Sequence, residues 1–194
     1  FEKAIFFMDN TLTPFHGNVK LANDAGRVEL AVQWPESGDG FMHSYCNTVP
    51  TPSGGTHETG LRTALARGLR AYGEMTGQKK ASIISADDVM SGAAILLSVF
   101  IKDPQFQGQT KEKLVNNDVS KWVDSAVKDH FDLWLSKDPA SSTALLNSII
   151  EKAEERQRRK DDRATARKSA TRKLRLPGKL ADCSRTDAHD TELF

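Results

Sequence analysis

The sequence predicts an α+β domain, an α/β two-layer sandwich that continues into a long charged helix. Three observations predict it. Residues 27–49 contain two strand-like stretches, and residues 93–102 form an apolar run that reads as a central strand. Strongly patterned helices surround these strands without strict strand–helix alternation. At 194 residues the chain is long enough for one domain with a substantial core and an appendage.

Taken in order, residues 1–20 carry little pattern, and Thr13-Pro14-Phe15-His16-Gly17 reads as a turn or an extended connector. From residue 27, Val28, Leu30, Val32 and Trp34 fall on one face of a strand, with Glu29 and Gln33 on the other. The turn-rich residues 35–40 lead to a second strand over residues 41–49, expected to pair with the first as an antiparallel hairpin. Pro50 and Pro52 stop that ladder, and Gly54-Gly55 allows a tight loop.

Thr56 is expected to cap the next helix, with Glu58 in its first turn favoured by the helix dipole. Leu61, Leu65, Leu69 and Tyr72 form its apolar face, widened by Ala64 and Gly68, and Gly77 ends it. Ser85-Ala86-Asp87-Asp88 resembles a capping box, so its two carboxylates read as helix-start residues rather than an acid–base pair. The run at residues 93–102 is apolar on both faces, as a central strand covered by helices requires.

Asn116-Asn117-Asp118 is expected to cap a clearly amphipathic helix carrying Val119, Trp122, Val123, Ala126, Val127, Phe131, Trp134 and Leu135. Asp138-Pro139 breaks it, and Ser141 or Ser142 is expected to start another, buried through Leu145, Leu146, Ile149, Ile150 and Ala153. Residues 151–175 keep high helix propensity but lose core residues apart from Leu174, so this helix is expected to run out into solvent.

Charge decides little in total: Lys+Arg is 27 and Asp+Glu is 26, so net charge specifies no partner. Its distribution is more informative. Acids come early in the charged helix, and Arg163, Arg167, Lys168, Arg172, Lys173 and Arg175 come late. Late bases suit a solvated helix C-terminus and equally suit contact with a phosphate backbone. Cys46 and Cys183 have no metal-like spacing and read as free thiols of a cytoplasmic protein. No run approaches a membrane span. His130 has no His or Cys one turn away, and no metal site is expected. Phe1 is not an initiator methionine, so a fragment or processed product is expected.

The most chemically suggestive stretch is residues 103–115, DPQFQGQTKEKLV. Pro104 ends the preceding strand and Gly108 loosens the loop. Gln109, Thr110 and Lys111 then place an amide, a hydroxyl and a cation within three residues, a set that can hold a phosphate or a carboxylate. A solvated polar loop is the alternative reading. Gly54-Gly55 is not a nucleotide-binding P-loop, since no GK[ST] follows, and reads as a tight packed turn.

Three motifs in order resemble the B subunits of bacterial type IIA topoisomerases. They are Gly54-Gly55-Thr56-His57-Glu58 with Gly60-Leu61-Arg62, the QTK loop of residues 109–111, and Leu176-Pro177-Gly178-Lys179-Leu180-Ala181-Asp182-Cys183. Val127-Lys128-Asp129-His130-Phe131-Asp132-Leu133-Trp134-Leu135 and the ending Thr191-Glu192-Leu193-Phe194 are closer to the topoisomerase IV branch than to gyrase.

The resemblance implies a transducer domain with a left-handed βαβ crossover, the ribosomal-protein-like second-domain fold of GHKL ATPases. That handedness departs from the usual right-handed rule. It implies a connector from a missing ATPase domain at residues 1–20, a transducer domain at 21–155, a connecting helix at 156–175 and the truncated start of a Toprim region at 176–194. The implied activity is ATP-dependent DNA strand passage, with ATP and Mg held by the complete protein and none by the fragment alone. The implied partners are DNA, the A subunit of topoisomerase IV, which is a separate chain, and a second copy of the B chain.

Lys111 is the implied catalytic residue, reaching with Gln109 and Thr110 the terminal phosphate of ATP in the neighbouring domain. Lys179, Arg172, Lys173 and Arg167 are implied DNA-binding residues. Two other classes remain open: a non-enzymatic nucleic-acid-binding module that uses the basic helix, and a small-molecule kinase, which would need a phosphate loop of its own.

Overall fold

The structure is a computed structural model that describes residues 15–20, 26–35 and 38–172, with side chains over 26–35 and 38–166. The chain falls into two compact units, residues 1–154 and 155–194. In the first, strands β1 (Phe15–Lys20), β2 (Gly26–Gln33), β3 (Phe41–Cys46), β4 (Val49–Pro50) and β5 (Ala94–Ile101) form one mixed sheet in the order β1-β2-β5-β3-β4.

The apolar run anticipated as central is central. β5 pairs antiparallel with β2, setting Leu30 opposite Leu97 and Val32 opposite Ile95, and parallel with β3, setting Ser44 opposite Leu97 and Cys46 opposite Val99. The expected hairpin between the first two patterned strands does not form, because β5 lies between β2 and β3. Alternation fixes which face of a strand is buried, but not its neighbour. A strand apolar on both faces takes the interior place, where both its edges are paired. Residues 15–20, read as connector, instead add an antiparallel edge strand to β2.

Helices α1 (Thr56–Met75), α2 (Ala86–Met90), α3 (Asn117–Lys137) and α4 (Pro139–Arg172) follow, with a 3-10 turn at Lys79–Ile83 and short strands β6 (Phe106–Gln107) and β7 (Lys113–Leu114). Val28, Leu30 and Val32 of β2 and Ile95, Leu97 and Val99 of β5 are buried with Leu61, Leu65 and Leu69 of α1 in one core. Val123, Val127 and Phe131 of α3 and Leu145, Leu146 and Ile149 of α4 join the same core. The opposite sheet face leaves Arg27, Phe41 and His43 exposed, so the fold is α+β in two layers.

Glycines set the α1–α3 spacing. A Cβ on Gly60 would run into the Ser120 carbonyl oxygen and lie 3.0 Å from Val123 Cβ, and one on Gly68 would lie 2.7 Å from Phe131 Cδ1. Phe131 stacks on Trp134 at 5.6 Å and lies 6.2 Å from Trp34, whose indole Nε1 donates to the Val89 carbonyl at 2.9 Å. The buried indole therefore has the partner it needs.

The capping box at Ser85 and Asp88 forms as its spacing predicts. Three other expected caps differ. α1 starts from Gly55 with no side-chain cap, and the Thr56 hydroxyl oxygen is buried without a partner. Asn116 holds the N-cap position of α3 but makes no capping hydrogen bond, because its amide is engaged elsewhere. α4 starts at Pro139 rather than at Ser141 or Ser142. Proline suits the first helical position, and the Asp138 carboxylate accepts from Ser141 Oγ at 2.6 Å. Those Ser141 hydrogen bonds lower the Asp138 pKa.

In the second unit, α4 continues to Arg172, and its described side chains from Gln157 to Ala166 are exposed. Its charges pair along the helix, as Arg159 does with Glu155. Among the described residues, no helix is long and apolar enough to cross a membrane.

Gly60→Ala tests the α1–α3 contact. Alanine gains roughly 1 kcal/mol of helix propensity, whereas overpacking costs about 1–3 kcal/mol. Because the obstacle is backbone, the variant is expected to be less stable than the parent, read as a lower urea midpoint. A raised midpoint would show that the two helices can move apart freely.

Candidate functional site

β6 and β7 pair antiparallel, with Phe106 opposite Leu114 and Gln107 opposite Lys113. The stretch read as a loop is therefore a short hairpin whose tip is residues 108–112. Gly108 has φ +77, and Lys111 has φ +56, a left-handed conformation rare for a residue with a side chain. Gln109, Thr110 and Lys111 are all exposed, and none has a hydrogen-bond or ion-pair partner among the described residues.

The base of the hairpin is tied down. Val115 N donates to the Gln105 carbonyl at 2.9 Å. The Asn116 side chain accepts from Gln105 N at 2.6 Å and donates to the Asp103 carbonyl at 2.9 Å. This is why Asn116 does not cap α3. β7 is also stitched to the start of α1: Ser53 N donates to the Glu112 carbonyl at 3.1 Å, Leu114 N donates to the Gly54 carbonyl at 3.1 Å, and Gly55 bridges to Leu114. A Cβ on Gly55 would lie 2.7 Å from Leu114 N, so the approach requires glycine.

Gly54, at φ +69, lies over the Glu58 carboxylate, and a Cβ there would lie 2.5 Å from Glu58 Oε2. Glu58 Oε1 and the Ser44 hydroxyl of β3 are 2.6 Å apart. A carboxylate only accepts, so Ser44 donates to it. Thr51 Oγ1 lies 2.7 Å from Ser44 Oγ and 3.1 Å from His57 Nε2. The consistent direction runs from His57 Nε2–H to Thr51, from Thr51 to Ser44, and from Ser44 to Glu58. His57 Nδ1 is then an unprotonated acceptor, buried without a partner. Burial lowers the His57 pKa to about 4, so the ring is neutral at pH 7. Burial likewise pushes the Cys46 thiol up to about 11, leaving it a free but protonated thiol.

A cleft of about 480 Å³ opens beside this stitch, with Gly55, Thr56, Arg62 and Lys113 in its walls. The structure thus brings the sequence-selected QTK tip and the Gly54-Gly55 motif into one assembly. The rest of the selected residues are elsewhere. Arg167 and Arg172 lie on α4, and Lys173 and Lys179 lie outside the described residues, as does Cys183. His130 is an exposed residue of α3. Sequence reasoning missed Ser44, Thr51 and His57 as a connected set. Ser44 lies in β3, Thr51 follows β4 and His57 lies in α1, so no local period links them.

The DNA gyrase B family model matches residues 2–165, and the chain belongs to that family. It is 55% identical over 190 residues to the B subunit of DNA topoisomerase 4 from Caulobacter vibrioides, covering 95% of this chain and 27% of that protein. It is 40% identical over 183 residues to the protein of the same name from Escherichia coli, covering 93% of this chain and 28% of that protein. The chain thus spans a little over a quarter of the length of these relatives.

Among solved structures, it is similar to the topoisomerase IV ATP-binding domain of Francisella tularensis in complex with a small-molecule inhibitor. The TM-score there is 0.68 at 35% identity, over 74% of this chain and 39% of that one. It is also similar to the 43K ATPase domain of Thermus thermophilus gyrase B in complex with an aminocoumarin. The TM-score is 0.69 at 25% identity, over 80% of this chain and 42% of that one.

The buried histidine makes stability depend on pH. Its folded pKa of about 4 lies below the ordinary 6.5, so between those values the unfolded chain binds a proton that the folded chain does not. The stability it contributes is fully present above pH 6.5 and is lost as pH falls through about 4, up to roughly 3 kcal/mol. Urea unfolding at several pH values should show this slope in the parent, and His57→Gln should remove it. An identical slope in the variant would mean that His57 titrates normally in the folded state.

Proposed function

We propose that this chain is the transducer part of an ATP-dependent type IIA DNA topoisomerase, within the B subunit of a topoisomerase IV, and that Lys111 couples ATP hydrolysis to DNA strand passage. The observation that carries this reading is the state of Lys111. It is an exposed cation without a partner among the described residues, held in a left-handed conformation on a hairpin with a tied base. That conformation costs about 1–2 kcal/mol, and strain of this kind collects where a side chain must be presented.

On this reading the unit β3–α1–β5 is the left-handed crossover of a ribosomal-protein-like second domain of the GHKL kind. Residues 1–20 lead from the nucleotide-binding domain, the last six of them joining the transducer sheet as β1, 21–155 form the rest of the transducer, 156–175 connect onward and 176–194 begin the Toprim region. The complete protein binds ATP and Mg in the preceding domain. It works in the cytoplasm with DNA, with a second copy of itself and with the A subunit of topoisomerase IV. Lys111 meets the terminal phosphate as a point charge, while Gln109 and Thr110 orient it by hydrogen bonds.

At about 4 Å and an effective dielectric near 20, a lysine and a phosphate charge attract by roughly 4 kcal/mol, part of which desolvation offsets. Hydrolysis removes that phosphate, so the hairpin is held differently before and after it, as a switch requires. Arg167, Arg172, Lys173 and Lys179 are assigned to DNA backbone contact.

In the complete protein, Lys111→Ala is expected to lower ATP turnover and strand passage by orders of magnitude with a smaller effect on nucleotide affinity. Lys111→Arg should rescue poorly, since its planar head does not replace a point charge. The fold should survive, because an exposed tip lysine buries little, and circular dichroism checks this. Wild-type turnover in a folded Lys111→Ala protein would leave the hairpin an ordinary connector. Replacing Arg167, Arg172 and Lys173 with Gln should flatten the salt dependence of DNA binding, and an unchanged slope would remove them from the interface.

A further inference from the structure

We infer that Gly55, in a turn that Glu58 supports beneath Gly54, is a positioning residue for Lys111, an inference that rests on the reading of Lys111 given above. Gln109, Thr110 and Lys111 have no support of their own among the described residues, so the direction of Lys111 is set by what holds the residues on either side of them. One side of that base is β7. Glu112, the residue after Lys111, receives the Ser53 amide at 3.1 Å, and Leu114 is held by the Gly54 carbonyl at 3.1 Å and by the bridge to Gly55. These links need two backbones in contact, which Gly55 alone permits.

The turn is in turn fixed from beneath. Gly54 rests over the Glu58 carboxylate, and Glu58 is held by the Ser44 hydroxyl at 2.6 Å, with Thr51 and His57 behind it. Ser44 belongs to β3, directly opposite Leu97 of the central strand. A continuous path of hydrogen bonds and close packing therefore runs from the residue next to Lys111, through the start of α1, into the sheet. A displacement of about 1 Å at a reacting group can cost 100-fold in rate. Loosening this path is thus expected to lower turnover without touching nucleotide.

The test uses the complete protein together with the enzyme's A subunit, comparing the parent, Gly55→Ala, Lys111→Ala and the double variant in steady-state ATP turnover. Gly55→Ala is expected to lower kcat by about 100-fold while KM changes little. The double variant should match Lys111→Ala, because the two residues act as one unit. Glu58→Ala and Ser44→Ala should give smaller losses of the same kind. Glu58→Gln should restore most of the rate, since its amide oxygen still accepts from Ser44. These milder variants carry the same comparison if Gly55→Ala does not fold.

Losses that multiply in the double variant would overturn the inference, because Gly55 would then act independently of Lys111. Wild-type kcat in Gly55→Ala, with Lys111→Ala impaired, would overturn it and leave the reading of Lys111 standing. Wild-type kcat in Lys111→Ala would overturn both.

Discussion

The backbone contact between the Gly54-Gly55 turn and Leu114 ties together parts of the chain that are about 60 residues apart in sequence. It is made of amides and carbonyls, and it exists because Gly55 carries no Cβ that would block the approach. Such contacts are insensitive to side-chain identity on β7 but intolerant of any addition at Gly55. Once the contact is made, the hairpin, the first turn of α1 and strand β3 of the sheet share one hydrogen-bonded framework. The same requirement accounts for the missing cap on α1. The chain enters the helix through a glycine at φ +150 in the N-cap position, which leaves Thr56 as the first helical residue with its hydroxyl unpartnered.

Stiffness and strain are divided between the two ends of this assembly. The buried end is polar and hydrogen-bonded except at His57 Nδ1: Ser44, Thr51 and Glu58 exchange hydrogen bonds in one direction, and His57 joins as a neutral ring because burial disfavours its charge. The exposed end has no partner among the described residues and keeps a lysine in a left-handed conformation. A rigid base with a strained, charged tip is suited to a contact that is made and lost with the state of a ligand. The core beneath is ordinary by comparison. It rests on close α1–α3 packing at Gly60 and Gly68 and on the aromatic group of Trp34, Phe131 and Trp134.

Much of this fold was legible in the sequence where a period or a local signature determines it. The faces of β2, α1 and α3, the central place of β5 and the capping box at Ser85 all follow from spacing. Pairing did not, because the insertion of β5 between β2 and β3 joins strands separated by a helix, and no local pattern records it. The same limit applies to Asn116, which has the composition of a cap but spends its amide on Asp103 and Gln105 across the hairpin. Pro139 replaced the serines as the start of α4 because Asp138, three residues before Ser141, supplies the carboxylate that accepts from the Ser141 amide and hydroxyl. At the candidate site, the QTK tip was legible through its resemblance to a family and the chemistry of three adjacent side chains. Its attachment to Gly54 and Gly55 was not, since backbone hydrogen bonds leave no mark on residue type beyond the glycines themselves.

On the proposed function, this hairpin distinguishes nucleotide before hydrolysis from nucleotide after it. Amide hydrogen exchange on the complete protein measures that directly, comparing a non-hydrolysable ATP analogue with ADP. Slower exchange over residues 108–114 and 53–58 with the analogue, and not with ADP, is the expected result, because a held tip stiffens the framework to which it is stitched. Equal exchange over both stretches in the two states would contradict the account.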